Sequence, residues 1–78
     1  MKITVKLYSM LRSYLEDGEN GVGVLEIPDG ANIADVVASL GIPDKIPRIA
    51  LINGEQKEAG AILSDGDVLS VFPPMAGG

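Results

Sequence analysis

The sequence contains no cysteine and no histidine among its 78 residues. Their absence excludes disulfides, thiolate metal sites, cysteine nucleophiles and every catalytic triad that needs an imidazole. Aromatic residues make up only 4% of the chain, too few for a platform that stacks nucleic-acid bases. Six basic residues stand against 11 acidic ones, and the net charge of −5 disfavours binding to phosphate backbones.

Long apolar runs are also missing, since no stretch approaches the roughly 20 residues that span a bilayer. The first residues, Met1 to Leu7, alternate polar and apolar side chains, unlike a signal peptide. We therefore expect a cytoplasmic protein with no membrane or nucleic-acid partner. The length predicts one small domain with little volume to enclose a substrate. A carrier, a binding module or a subunit is favoured over a complete enzyme.

The spacing of apolar residues predicts an α+β domain, with one main helix covering one face of a sheet. The predicted strands span residues 2–9, 22–27, 48–53, 55–57 and 68–72, and the predicted helices span 10–16 and 33–40. Ser9 is the expected N-cap of the short helix, and Asn32 with Asp35 predicts a capping box for the main one. The first and last strands have the strongest β patterns and are expected near the centre of the sheet.

The end of the chain has the properties of a stiff spacer with a thin tip. Pro73-Pro74 cannot pair in a central ladder and favours an extended conformation. Gly77-Gly78 has no side chains, so only backbone must pass through a narrow channel. We predict a body of residues 1–72 and a tail of residues 73–78, whose terminal carboxylate a partner can activate. Taken alone, the two terminal glycines are also compatible with a frayed end.

Segments along nearly the whole chain resemble the ubiquitin-like β-grasp sulfur carriers of the MoaD/ThiS family. VKLYSMLR at 5–12 resembles the opening strand and short helix, and NIADVV at 32–37 resembles the start of the central helix. LINGE at 51–55 is similar to a recurrent Val-Asn-Gly-Glu segment, and LSDGDV at 63–68 to a Leu-x-Asp-Gly-Asp turn. VFPPMAGG at 71–78 resembles the Phe-Pro-Pro-x-x-Gly-Gly ending of the small subunit of molybdopterin synthase.

This resemblance implies a β-grasp fold, with a mixed sheet of four to five strands packed on one main helix and a flexible C-terminal tail. It implies that an E1-like adenylyltransferase uses Mg-ATP to form an acyl-adenylate on Gly78, which a persulfide converts into a thiocarboxylate. The large subunit of molybdopterin synthase, or an equivalent enzyme, would accept the sulfur. The inserted tail residues would be Gly77, Ala76, Met75, Pro74 and Pro73. No bound cofactor, no metal and no catalysis by the chain itself are expected.

The outward face of the last strand is the predicted partner-binding surface. Because Leu69 and Val71 are expected to face the core, the residues between them face solvent. An exposed Phe72 beside Met75, with Ile52 or Ala50 of the third strand, would form an apolar patch of the kind that marks interfaces. The predicted partner-binding residues are Phe72, Ser70, Val68, Ile52 and Arg48. The residues leave open the alternative that Phe72 belongs to the core.

Several functions remain open from the sequence. The short helix after the first strand and the Phe-Pro-Pro segment favour molybdopterin synthesis over a carrier for thiamine or another sulfur-transfer pathway. A ubiquitin-like modifier would join Gly78 to lysines of target proteins. A β-grasp binding module with an inert tail is the remaining alternative. The Asp65-Gly66-Asp67 segment lacks the further ligands of a calcium loop and is interpreted as a turn.

Overall fold

The computed structural model describes residues 1–15 and 20–74. Its elements follow the predicted order. The strands are β1 (Lys2–Leu7), β2 (Val22–Glu26), β3 (Ile49–Ile52), β4 (Glu55–Lys57) and β5 (Val68–Phe72). The main helix is α1 (Ile33–Ser39), and a 3₁₀ helix spans Ser9–Tyr14. Neither helix of the described ranges has the length and apolar character needed to cross a membrane.

The strands of the described residues form one five-stranded sheet in the order β2-β1-β5-β3-β4. β1 and β5 run parallel, whereas the other neighbours are antiparallel. The sheet is therefore mixed, as the resemblance implied. β5 occupies the central position and β1 lies beside it, which confirms the expectation drawn from their strong β patterns. The tail thus begins at the end of the central strand.

One face of the sheet packs against α1 to form the core. The alternating apolar residues of β1 and β5 supply one side, and the helical stripe of α1 supplies the other. Side chains with at most 2% exposure include Ile3, Val5, Leu7, Leu69, Val71, Ile33, Val36 and Val37. Each such side chain stabilises the fold by about 1.5–3 kcal/mol on burial. The inward positions of Leu69 and Val71 confirm the predicted phase of β5.

Both ends of α1 follow their sequence signals. The Asn32 side chain accepts a hydrogen bond from the Asp35 backbone N–H at 2.8 Å, and the Asp35 carboxylate accepts one from the Asn32 N–H at 3.0 Å. The predicted capping box is therefore confirmed. At the other end, Gly41 has a φ of +84°, the left-handed conformation that favours glycine and ends a helix.

The short helix differs from its prediction. It is a 3₁₀ helix that begins at Ser9, and the preceding residue, Tyr8, makes no side-chain cap. Ser9 itself has a φ of +57°, whereas a capping serine needs an extended backbone. The prediction of Ser9 as an N-cap was wrong for this reason. The spacing of Leu11 and Leu15 was a good guide, since both side chains are buried.

At the end of the sheet where β5 begins, a hydrogen-bond network joins two turns. Asn53 and Gly54 have φ values of +52° and +86°, typical of the tight turn that joins β3 to β4. Asn53 Nδ2 donates to Asp67 Oδ1 at 2.9 Å, and Asn53 Oδ1 accepts from the Val68 N–H at 2.9 Å. Asp67 Oδ2 also accepts from the Ser64 N–H at 2.8 Å. The turn around Gly66 is therefore structural, as predicted.

Candidate interaction surface at the root of the tail

The outer face of β5 is the face that the core leaves open. Val68, Ser70 and Phe72 alternate with the fully buried Leu69 and Val71, and all three are half-buried. Phe72 therefore lies on the outer face of the sheet and not in the core. Val68 also faces outward, but it begins β5 next to Thr4, at the opposite end of the strand from the tail.

The register of β3 against β5 shows which neighbours share this face. Ile49 lies opposite Phe72, and Leu51 lies opposite Ser70. Ile52 instead lies opposite the buried Leu69 and packs against the core, so its predicted position on the outer surface was wrong. Every residue of β3 is apolar, and such a strand has no alternation to show which side chains face outward.

An open groove of about 700 Å³ lies between the 3₁₀ helix and the outer face of the sheet. We call it the tail groove, because the first tail residues form part of its wall. Its lining residues are Tyr8, Ser9, Met10, Leu51, Ser70, Phe72, Pro73 and Pro74. Within the part of the chain that the structure describes, no charged side chain lines it. A groove of this kind offers shape and apolar contact, which suit the binding of a partner.

Two aromatic rings support the groove from inside. The rings of Tyr8 and Phe72 meet edge to face, with centroids 6.0 Å apart and an interplanar angle of 89°. The Tyr8 N–H donates to the Val71 carbonyl at 3.1 Å, which joins the end of β1 to β5 just before the tail. Tyr8 nevertheless remains 46% exposed, so the pair is supported by the fold and still open to a partner.

Sequence reasoning missed Tyr8 and Met10 as groove residues. Met10 is 64% exposed although it is apolar, and together with Ser9 it forms the wall that the 3₁₀ helix contributes. The available signal was its phase, since Met10 does not share the four-residue spacing of the buried Leu11 and Leu15. Ser9, between these two residues, also lines the groove and has a left-handed φ of +57° at the start of the 3₁₀ helix. Backbone conformations of this kind often accompany binding sites.

The structure places Arg48 away from the tail groove. Its guanidinium donates to the carbonyls of Ile46 at 2.9 Å, Asp44 at 3.4 Å and Pro43 at 3.5 Å. It also forms an ion pair with the Asp44 carboxylate at 3.3 Å. The side chain is only 17% exposed. Arg48 therefore braces the segment before β3, and the predicted surface does not include it.

The described part of the tail lies at the edge of the groove. Pro73 is half-buried and Pro74 is exposed, and both contribute to the groove wall. Met75, Ala76, Gly77 and Gly78 lie outside the described residues. The roles of Gly78 and of the residues before it stay predictions.

Solved structures with a similar fold include a small archaeal modifier protein and a subunit of molybdopterin-converting factor. The HVO 2177 protein of Haloferax volcanii is 27% identical, with a TM-score of 0.79 over 100% of this chain and 87% of that one. SAMP1 from the same organism is 21% identical, with a TM-score of 0.75 over 100% of both chains. A complex of subunits 1 and 2 of molybdopterin-converting factor from Helicobacter pylori contains a chain that is 18% identical, with a TM-score of 0.63 over 100% of both chains.

Sequence comparison gives the family. A search of curated proteins finds no significant match. The family model described as "ThiS family" matches residues 11–78, which include the end of the 3₁₀ helix, the capped helix and the whole tail. The solved structures described above share the mixed sheet and helix, which confirms the β-grasp fold. The chain therefore belongs to the ThiS family and is a ubiquitin-like sulfur carrier of the MoaD/ThiS type.

Proposed function

We propose that the chain carries sulfur as a thiocarboxylate on Gly78 and donates it in molybdopterin biosynthesis, as the small subunit of molybdopterin synthase. The observation that carries this proposal is the tail groove. An apolar binding surface lies where the tail begins, so a partner bound there is positioned to receive the tail in its own active site. Catalysis belongs to the partner enzymes in this proposal, and the chain acts as co-substrate.

The body of the protein holds the start of the tail in a defined position beside the groove. Phe72 is the last residue of the central strand, and its ring is held by the edge-to-face contact with Tyr8 at 6.0 Å. Pro73 and Pro74 then restrict the backbone to extended conformations. A partner that binds the groove therefore fixes the direction in which the tail leaves the body, which lowers the entropy cost of insertion.

The proposed chemistry needs only the terminal carboxylate of Gly78. An E1-like adenylyltransferase joins that carboxylate to AMP from Mg-ATP and releases pyrophosphate, and the terminal sulfur of a persulfide then displaces AMP to form an acyl disulfide. A thiol attacks the sulfur on the donor's side of that S–S bond, becomes part of a new disulfide and releases the thiocarboxylate. The resulting thiocarboxylate is nucleophilic, so it transfers sulfur to a pterin precursor in the acceptor enzyme. Water releases the acyl group and regenerates the carboxylate. Gly77 leaves room for the backbone to pass through a narrow channel because it has no side chain.

The choice of molybdopterin rests on the Phe72-Pro73-Pro74 segment and on the short helix after β1. In the Helicobacter pylori relative, the chain of similar fold is found with subunit 2 of molybdopterin-converting factor. An equivalent large subunit is the acceptor that we propose here. A test mixes chain bearing a chemically prepared Gly78 thiocarboxylate with that large subunit and its pterin precursor. The proposal predicts a sulfur-containing pterin product, and none from chain with an ordinary carboxylate. If the chain bearing the thiocarboxylate yields no such product, this pathway is excluded.

A ubiquitin-like modifier is the second candidate, because SAMP1, a small archaeal modifier protein, has a similar fold over 100% of both chains. In that function the activated Gly78 carbonyl forms an isopeptide bond with a lysine of another protein. Covalent conjugates that survive a denaturing gel and disappear when Gly78 is deleted would favour this candidate.

A further inference from the structure

The two edges of the sheet differ in how they are protected. β4, at one edge, consists of exposed Glu55, Gln56 and Lys57, and charged side chains of this kind discourage pairing with another strand. β2, at the other edge, has the sequence Val-Gly-Val-Leu-Glu and carries no lysine or proline. Its two outer valines are exposed, and Val24, at 66%, is the most exposed large apolar side chain of the described residues.

The hydrogen-bond pattern shows which backbone groups of β2 reach the open edge. Met1 and Ile27 exchange two hydrogen bonds of 2.8 Å, and the Leu7 N–H donates to the Gly21 carbonyl at 2.7 Å. Since hydrogen-bonded pairs alternate along an antiparallel ladder, Gly23 and Leu25 direct their backbone groups towards β1. The N–H and C=O groups of Val22, Val24 and Glu26 therefore point away from β1, towards the open edge.

We propose that β2 pairs antiparallel with β2 of a second copy of this chain, about a twofold axis at Val24. In this register Val24 lies opposite Val24 of the second copy, and Val22 lies opposite Glu26. The outward groups of all three residues find partners, because each of these is a hydrogen-bonded pair. This proposal is independent of the sulfur chemistry proposed above.

Both faces of the paired strands are complementary in this register. On the core face, the half-buried Leu25 of one copy lies opposite Gly23 of the other, which has no side chain to compete for the space. On the outer face, the exposed Val24 side chains of the two copies lie opposite each other at the axis, and each Val22 lies diagonal to Val24 of the other copy. Cross-strand apolar pairs of this kind stabilise a sheet by about 0.2–1 kcal/mol each.

Charge complementarity favours a second copy as the occupant. Lys6 lies beside Val22 on the outer face and forms no ion pair with any described residue. Glu26 of the second copy, which lies opposite Lys2 of its own chain without an ion pair to it, is on the other side of Val22, two strand spacings or roughly 10 Å from Lys6. Long side chains cover this distance, and the twofold axis produces the Lys6–Glu26 pair twice.

The paired edge leaves the tail groove free, because β5 is separated from β2 by β1. The product is a continuous sheet across two copies, each of which presents its own tail. A single short edge buries less area than the roughly 1,200–2,000 Å² of a stable interface, so we expect a weak dimer. Association should appear in the high micromolar to millimolar range of chain concentration.

Analytical ultracentrifugation of the full chain over this concentration range tests the proposal. The unmodified chain is expected to show a reversible monomer–dimer equilibrium. Val24→Lys should weaken dimerisation by at least about tenfold, because it places a charge at the twofold axis. Ile62→Lys is the matched control, since Ile62 is 60% exposed and lies outside the strands, and it should leave the equilibrium unchanged. A chain that stays monomeric at every concentration overturns the proposal, as does a dimer that Val24→Lys leaves intact.

Two further measurements locate the interface and protect the test against misfolding. The amide signals of Val22, Val24 and Glu26 should shift with concentration in solution NMR, whereas those of β4 should not. Lys6→Glu and Glu26→Lys should each weaken dimerisation by up to about fivefold, and the double variant should restore it. Concentration-dependent shifts at β4 instead of β2, or a double variant as weak as the single ones, would contradict this register.

Discussion

The rings of Tyr8 and Phe72 meet edge to face at 6.0 Å, and this contact joins the end of β1 to the last residue of the central strand. Tyr8 directly precedes the 3₁₀ helix, and Phe72 directly precedes the tail. The same contact therefore forms the floor of the groove and fixes the point from which the tail departs. It links the fold of the body to the direction of the proposed reactive end.

The tail groove makes a prediction about partner affinity. Phe72→Ala should weaken binding to the activating enzyme by about thirtyfold, because truncating a central aromatic anchor costs about 2 kcal/mol. Tyr8→Ala should act in the same direction through loss of the ring contact. Isothermal titration calorimetry measures the affinity, and unchanged circular dichroism verifies the fold. Equal affinities for the unmodified chain and both variants would remove the groove from the interface.

Met10 allows a matched test of the same surface. Met10 is 64% exposed and lines the groove, whereas Ile62 is 60% exposed and lies elsewhere. Met10→Ala should weaken binding to the activating enzyme by about threefold to tenfold, since it removes apolar contact area at the interface. Ile62→Ala should have no effect on the same titration. If Met10→Ala and Ile62→Ala bind the enzyme with equal affinity, the groove has no special role in binding.

Arg48 is predicted to contribute to stability and not to binding. Its guanidinium donates to three backbone carbonyls of the segment before β3, so Arg48→Ala should lower the free energy of unfolding by about 1–3 kcal/mol. Urea denaturation measures this loss, with the exposed Lys45→Ala as control. In the absence of urea, where the variant is folded, its affinity for the activating enzyme should stay within a factor of about two of that of the unmodified chain. An Arg48→Ala variant that keeps its stability but binds the enzyme more weakly would show that Arg48 belongs to the partner-binding surface.

Gly41 and Gly60 provide a second pair of matched variants. A Cβ at either position meets nothing within 4 Å, but only Gly41 has a positive φ, of +84°. Gly41→Ala should therefore lower the free energy of unfolding by about 1 kcal/mol through backbone strain. Gly60→Ala should be neutral or slightly stabilising. Equal urea midpoints for the two variants would contradict the assigned helix terminator.

The Asp67 carboxylate should contribute more to stability than an ordinary surface carboxylate. It accepts hydrogen bonds from the Ser64 N–H and from the Asn53 side chain. Asp67→Ala leaves both donors without this partner and should lower the free energy of unfolding by about 1–3 kcal/mol. Glu58→Ala, at an exposed site, is the control for loss of a negative charge. A urea midpoint shared by both variants would show that the network adds nothing.

Local signals predicted most of the fold. The capping box at Asn32, the terminator at Gly41 and the turn at Asn53-Gly54 depend on residues close together in sequence, so their patterns were sufficient. The bounds of β5 matched for the same reason, because an alternating strand followed by Pro73-Pro74 leaves few alternatives.

Long-range placement limited the prediction of the site. β3 is apolar at every position, so only its register against β5 shows that Leu51 faces the groove and Ile52 faces the core. Met10 follows Ser9, whose left-handed φ of +57° at the start of the 3₁₀ helix cannot be predicted from the residue type, since serine rarely adopts it. Arg48 was misplaced because nothing in the sequence shows that the preceding segment folds around its guanidinium.

The central claim is that Gly78 carries sulfur, and intact mass spectrometry tests it most directly. The chain is mixed with its E1-like adenylyltransferase, Mg-ATP, a persulfide donor and a reducing thiol, and a Gly78-deleted chain is treated in parallel. The account predicts a mass gain equal to the exchange of one oxygen for sulfur, located at Gly78 by fragmentation and absent from the deleted chain. An unchanged mass, with an adenylyltransferase and donor shown to be active on another carrier, would contradict it.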